Sequence, residues 1–431
     1  MRYHPIDAEL FVQNRKRLVS RLKPNSVVII HSNDIMPTNA DGTMAFKQNS
    51  DLFYLSGVDQ EESILLLAPD FPDEKFRELL FVRETSEEIA IWEGHKLTKE
   101  EARSTSGIAN IKWSPDFEKL LYTILAESEH IYLPTNEHIR NGSIVETAND
   151  RFIKHCQQRF PLYKYERLAP IIYDLRTIKS SIEIEQISHA CQITNQGFRR
   201  ILQAAKPGVW EYELEAEYMH EFLSKRSKGF AYTPIIAGGA NACVLHYIDN
   251  NMQLKDGDLL LMDVGAEYAN YNADMTRTIP VNGRFTQRQR DVYEAVNRVK
   301  KAVTELLRPG SAIPEYHKAV GELMTKELLD LKLIDKTDIK NQDPDWPAYR
   351  KYFMHGTSHH LGLDVHDVAS IYKEFEVGMV FTVEPGIYIR EEGIGIRLED
   401  DIVITKDGHQ NLMADIPIEI EEIEELMNSS K

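Results

Sequence analysis

Two parts of this chain are composed for burial yet interrupted by carboxylates, and that conflict narrows the folds open to it more than any other feature. Asp258 to Gly265, DLLLMDVG, is an apolar strand broken by Asp263, and Tyr271 to Val281, YNADMTRTIPV, is a second broken by Asp274. Further on, Val380 to Ile389, VFTVEPGIYI, carries Glu384, and Gly395 to Ile404, GIRLEDDIVI, carries Glu399. Each pair has hairpin spacing. A turn near Tyr268 and Ala269 gives the register that opposes Asp263 to Asp274, and a turn around Glu391, Glu392 and Gly393 opposes Glu384 to Glu399. Directly opposed side chains lie about 4.5 to 5.5 Å apart at Cβ. Like charges at that distance on a buried face work against the sheet unless protons or a cation neutralise them. Unrelated aspartates at strand ends would account for one pair alone; two such hairpins in one chain argue against coincidence.

Between the pairs lies Met354 to Asp367, MHGTSHHLGLDVHD, which crowds His355, His359, His360 and His366 around Gly356 and Gly362. Such a cluster reads as a metal site, as a set of substrate-binding histidines, or as a run on a solvated loop. The flanking carboxylates favour metal. Four carboxylates and one imidazole make a hard, oxygen-rich site whose charge of about minus four is balanced by two divalent cations, with room for a bridging hydroxide. That donor set suits Mn²⁺, Co²⁺ or Fe²⁺ better than a thiol-rich or histidine-rich zinc site, and it points to hydrolysis.

The rest of the chain supplies the frame. The sequence of 431 residues, 42% hydrophobic, is long enough for two or three domains with sizeable cores. No segment approaches the roughly 18 to 20 apolar residues of a membrane span, and MRYHPIDAELF lacks the apolar core of a secretory signal. Three cysteines in no metal-like spacing fit a reducing cytoplasm. A formal net charge of -18 without a basic block disfavours nucleic acid or an anionic membrane as partner.

The first half reads as α/β. A helix capped by Asp7 runs to Lys23, followed by strand-like runs at Val27 to His31, Leu52 to Leu55, Ser63 to Leu67, Leu79 to Arg83 and Ile89 to Trp92. Phe53, Tyr54 and Trp92 read as core aromatics ahead of a ligand surface. A boundary falls between Pro170 and Ser181. Beyond it, Ser180 and Glu183 have capping-box spacing and open a long amphipathic helix stopped by Pro207 and Gly208. Further helices are expected at about Trp210 to Lys228, Arg288 to Leu307 and Pro314 to Leu331. The alternation of helix pairs with hairpins occurs twice, as in a domain of two similar halves.

Taken together, HGTSHHLGLDVHD, MDVGAEYANYNADMTRT, VEPGIY and IRLED resemble, in order and local context, the pita-bread metallopeptidases, and most closely the aminopeptidase P (Xaa-Pro aminopeptidase) group. The resemblance implies an α/β (α+β) chain. A creatinase-like α/β domain over residues 1 to 172, including NSDLFYLSG and serving substrate access and oligomerisation, would precede a pita-bread catalytic domain over 173 to 431. It implies metal ligands at Asp263, Asp274, His359, Glu384 and Glu399, with Asp274 and Glu399 shared by two ions, Mn²⁺ ahead of Co²⁺, Fe²⁺ or Zn²⁺. His246 in VLHY, His355, His366 and Arg397 match positions used for substrate binding and proton handling, and Glu384 is the candidate to pass a proton to the leaving nitrogen. His246 otherwise reads as a strand histidine, and Arg397 as a structural ion pair. His360 stands where relatives often carry an aromatic. The implied activity is release of the N-terminal residue from peptides with proline in second position by a cytoplasmic homodimer or homotetramer. A prolidase acting on Xaa-Pro dipeptides, or a non-catalytic pita-bread binding protein, are the alternatives.

Overall fold

The computed structural model describes residues 3 to 429. The chain divides into two compact units, Tyr3 to Arg176 and Thr177 onward, a few residues past the boundary expected at 172.

The first unit is built on a six-stranded mixed sheet. Its order across the sheet is Asn110–Trp113, Glu78–Val82, Ile64–Leu67, Ser26–His31, His130–Leu133 and Lys164–Arg167. Val27, Ile29, Leu66, Phe81 and Ile131 from this sheet pack with Phe117, Leu121 and Phe152 of flanking helices. Two of the expected strands are helices instead. Leu52 to Leu55 lies in Ser50–Ser56, where the Asn49 side chain accepts from the amides of Asp51 and Leu52 and Gly57, at φ 66°, closes the last turn. Ile89 to Trp92 lies in Glu87–Glu93, capped by Ser86 and ended at Gly94. Phe53 and Tyr54 are core, whereas Trp92 is 84% exposed and is not. The first helix is shorter than expected, Glu9–Val19, with Ala8 at its N-cap.

The second unit opens with the helix Ser181–Ala204, whose capping box of Ser180 and Glu183 is formed as its spacing required. It packs closely against Glu211–Ser224 because residue 197 is glycine: a Cβ there would lie 2.7 Å from Tyr218 Cδ1. The helices Gln287–Thr304 and Ile313–Asp330 follow. Between and after them lie two three-stranded antiparallel sheets. One runs Met275–Pro280, Leu259–Val264, Ile235–Gly238; the other runs Val380–Val383, Asp400–Thr405, Gly408–Asn411.

In the second hairpin the register pairs Val383 with Asp400 and Gly386 with Arg397, so Glu384 faces Glu399 as the sequence suggested. In the first it does not pair Asp263 with Asp274. Asp263 lies opposite Thr276, because the turn residues are Ala269 and Asn270, both at positive φ (54° and 66°), rather than Tyr268 and Ala269. The shift is two residues. An even shift preserves side-chain parity, so both aspartates still face the same side, as diagonal rather than direct neighbours.

Candidate metal centre

The hairpins meet along one edge, which brings the carboxylates together. The Glu399 amide donates to the Thr276 carbonyl at 3.0 Å. Thr278 Oγ1 donates to the Arg397 carbonyl at 3.2 Å and accepts from the Arg397 amide at 3.3 Å. Beside them, the histidine stretch runs as an irregular strand: the Thr382 amide donates to the His359 carbonyl at 3.0 Å and the Glu384 amide to Thr357 at 2.9 Å.

One ligand atom from each of Asp274, His359 and Glu399 lies within 4.8 Å of the others. Glu384 Oε1 is 3.7 Å from His359 Nε2, and Asp274 Oδ2 is 3.4 Å from it. Asp263 is held from two sides, by Arg397 Nη2 at 2.6 Å and by the Tyr232 hydroxyl at 2.6 Å. The same hydroxyl lies 2.5 Å from Asp274 Oδ1. A phenol has one proton, and burial among carboxylates holds its pKa well above the usual value. It donates to one aspartate at a time, so the other contact needs a proton or a cation to relieve it.

The pKa directions describe the same frustration. Burial pushes Glu399 well up, aided by the charges of Asp274 and Glu384. It pushes Glu384 up to about 7 against the pull of His359 and Arg397. Asp263 is raised by burial and by Asp274, against Arg397. His359 is raised despite its burial, because Asp274 and Glu384 face it. Its orientation suits a metal ligand: Nδ1 lies 3.0 Å from the His360 carbonyl, which only accepts, so Nδ1 carries a proton and Nε2, which faces the carboxylates, is the nitrogen that could bind a cation. The donor set therefore fits divalent cations, which would supply the positive charge these groups lack.

The remaining residues divide by position. Arg397 Nη1 donates to the Tyr388 hydroxyl at 2.8 Å, and His355 Nε2 lies 2.7 Å from the same oxygen. His355 Nδ1 is 2.7 Å from the Gly356 carbonyl and must donate to it, which leaves Nε2 to accept from Tyr388. The imidazole stays neutral, its pKa lowered to about 3 by burial and by Arg397. Arg397 is thus no isolated ion pair, since Tyr388 and Thr276 share its donors. His366 is exposed, its ring edge-on to His359 with centroids 4.4 Å apart. His246 lies in an exposed turn, not in a strand, within electrostatic reach of His355. His360 points away and packs against Phe381 with ring centroids 4.2 Å apart. Sequence reasoning missed Tyr232 and Thr276, the latter donating to Glu399 Oε2 at 2.6 Å. Thr276 had a signal, two residues from Asp274 on the same face; Tyr232, in a bend before the sheet, had none.

Two family models match the chain: metallopeptidase family M24 over residues 185–406, and the aminopeptidase P N-terminal domain over residues 11–132. A Haemophilus influenzae Xaa-Pro aminopeptidase is 37% identical, with 97% of each chain covered. An Escherichia coli Xaa-Pro aminopeptidase is 35% identical over 99% of each. Among solved structures, an Escherichia coli aminopeptidase P variant in complex with substrate superposes with a TM-score of 0.88 at 33% identity, covering 99% of both chains. The zinc-substituted enzyme in complex with product gives 0.88 at 34%, covering 99% of this chain and all of the other. The second unit is accordingly a pita-bread domain binding divalent metal ions. With matches spanning both units and nearly the full length, the chain belongs to metallopeptidase family M24 and, within it, to the aminopeptidase P group.

Proposed function

We propose that this metallo-aminopeptidase releases the N-terminal residue from peptides whose second residue is proline, using two divalent ions held by Asp263, Asp274, His359, Glu384 and Glu399. Mn²⁺ is the first candidate, and Asp274 and Glu399 would be the ligands shared between the ions. The observation that carries the reading is the convergence of Asp274, His359 and Glu399 within 4.8 Å, with Glu384 beside them, in a chain matched end to end by Xaa-Pro aminopeptidases.

Divalent ions at such a site supply Lewis-acid polarisation of a peptide carbonyl and activation of a water molecule. The protein side chains do the rest. Glu384, whose Oε1 lies 3.7 Å from His359 Nε2, is the carboxylate that would pass a proton to the departing nitrogen while remaining a ligand. His366 and His246, both exposed, present ring N–H groups to the substrate carbonyl or the tetrahedral intermediate. The Arg397, Tyr388 and His355 chain fixes one tautomer of His355, and His355 and His366, with Tyr388 as an apolar wall, would line the space a proline ring enters. Proline removes the amide N–H that an extended peptide normally donates and fixes φ near -65°, so shape and not hydrogen bonding must recognise it.

Residues 1 to 172 are assigned substrate access and oligomer contacts. Their exposed apolar side chains, Ile91, Trp92, Ile144 and Leu162 among them, support a homodimer or homotetramer. A cytoplasmic location fits the free cysteines Cys156, Cys191 and Cys243.

The test is a peptide series on metal-loaded protein. Xaa-Pro-Yaa and longer peptides should lose their first residue, and changing the second residue from Pro to Ala should sharply reduce turnover. Cleavage confined to Xaa-Pro dipeptides would replace this reading with prolidase; no cleavage of any peptide by fully loaded protein would leave a binding protein.

A further inference from the structure

A histidine that meets substrate has to stand at an open edge of its site while its backbone stays fixed. His366 is exposed, yet the next residue is anchored in the interior. The Asp367 carboxylate accepts from Lys179 Nζ at 2.9 Å, and both side chains are only 1% exposed. The partners are 188 residues apart in sequence, so the pair ties the histidine loop to the chain just before the helix Ser181–Ala204.

Two glycines keep room for it. A Cβ on Gly362 would fall 2.3 Å from Asp367 Oδ2 and 2.9 Å from Lys179 Cε. One on Gly378, whose φ is +93°, would fall 2.9 Å from the Lys179 carbonyl oxygen. Main-chain bonds fix both partners, Lys179 N donating to the Gly378 carbonyl and Asp367 N to the His360 carbonyl, each at 2.9 Å.

Stability is a weak reason for such a pair, because stripping two charges of water offsets most of their attraction, and apolar residues of similar volume often do as well. What an ion pair adds is a single fixed geometry. We propose that Lys179 and Asp367 are positioning residues for His366, holding its imidazole edge-on to His359 and over the site; this rests on the reading of His366 as a group that meets substrate.

The experiment is a mutant cycle on full-length, metal-loaded protein: Lys179→Met with Asp367→Leu, His366→Ala, and the triple variant. Each is measured for thermal midpoint, metal content, and kcat and KM on an Xaa-Pro-Yaa peptide. The apolar pair should keep its metal and a wild-type midpoint, leave KM within about twofold, and lower kcat by about tenfold or more, since a misplacement of about 1 Å can cost about a hundredfold. The triple variant should be no slower than His366→Ala alone. Wild-type kcat in the folded apolar pair overturns the proposal, as does a triple variant slower than His366→Ala by the factor the pair costs in wild type. Should the apolar pair fail to fold, Lys179→Arg enters the same cycle, keeping charge but not shape. A kcat loss that vanishes without His366 supports the proposal, and an equal loss in both backgrounds overturns it. Failure of wild type on Xaa-Pro-Yaa would count against the substrate assignment alone, since the cycle runs equally on any peptide the enzyme does cleave.

Discussion

Replacing Gly265 by alanine would strike the metal centre without touching a ligand. Continuing the first hairpin's register sets Gly265 across from Asp274, and a Cβ at 265 would lie 1.8 Å from the Ala273 carbonyl oxygen, 2.6 Å from its carbon and 3.2 Å from the Asp274 nitrogen. The obstruction is backbone, so no side chain can rotate away. Restoring even a 3.0 Å contact means moving the segment that begins Asp274 by over 1 Å. Gly265 cannot yield freely in the other direction, because its carbonyl accepts from the Ala231 amide at 2.8 Å. Nor can Asp274 yield freely, since its amide donates to Asp401 Oδ2 at 3.1 Å. Overpacking typically costs about 1 to 3 kcal/mol, and a backbone clash belongs at the upper end. A shift of that size in Asp274 should weaken metal binding by about 10- to 100-fold, as loss of a ligand's supporting contacts does. The assay pairs metal content after dialysis against buffered metal with the thermal midpoint of loaded protein. Gly142→Ala is the control, since a Cβ there meets nothing within 4 Å. If Gly265→Ala retained wild-type metal content, midpoint and turnover, the placement of Asp274 against the neighbouring strand would be wrong.

Other outcomes follow from the same geometry. His359→Ala should lose metal, whereas His366→Ala should keep it and lose turnover; equal metal loss in both would mean that the wrong imidazole has been assigned to the ions. Tyr232→Phe, which removes the hydroxyl between Asp263 and Asp274, should bind metal more weakly while remaining folded, and unchanged titration by metal analysis would refute that role. In metal-free protein, Glu384→Gln should be more stable than wild type at pH 8, by up to about 3 kcal/mol. The sign follows from a folded-state pKa of about 7 against an ordinary 4.5, so the penalty for ionising Glu384 grows as pH rises between those values. The advantage should shrink towards pH 5 in denaturant melts, and a pH-independent difference would contradict it.

What the sequence disclosed depended on how local the signal was. The helix Ser181–Ala204 was legible because a capping box and a periodic apolar face lie within one stretch. The second hairpin's register was legible because the acidic turn ending in Gly393 sits midway between Glu384 and Glu399. The first was misjudged by two residues, because Ala269 shares the turn with Asn270 and not with Tyr268, which pairs with Tyr271 in the ladder. Leu52 to Leu55 and Ile89 to Trp92 were too short for periodicity to separate strand from helix, and the caps at Asn49 and Ser86 decided the matter. Tyr232 bridging two aspartates, and Lys179 paired with Asp367, depend on tertiary approach across long stretches of chain. No local pattern encodes those.

Asp263, Asp274, His359, Glu384 and Glu399 are proposed to assemble a site for two ions that hydrolyses the bond before proline. The direct measurement is a titration of Mn²⁺ into chelator-stripped protein, following release of the first residue from an Xaa-Pro-Yaa peptide and the thermal midpoint together. No turnover is expected without metal, and a plateau is expected at two ions per chain. The midpoint should rise because the ions bind only the folded state, adding about 2.7 kcal/mol of stability per site at a hundredfold excess over Kd. Full activity in protein verified to be free of metal, or a plateau reached equally well by His359→Ala, would contradict it.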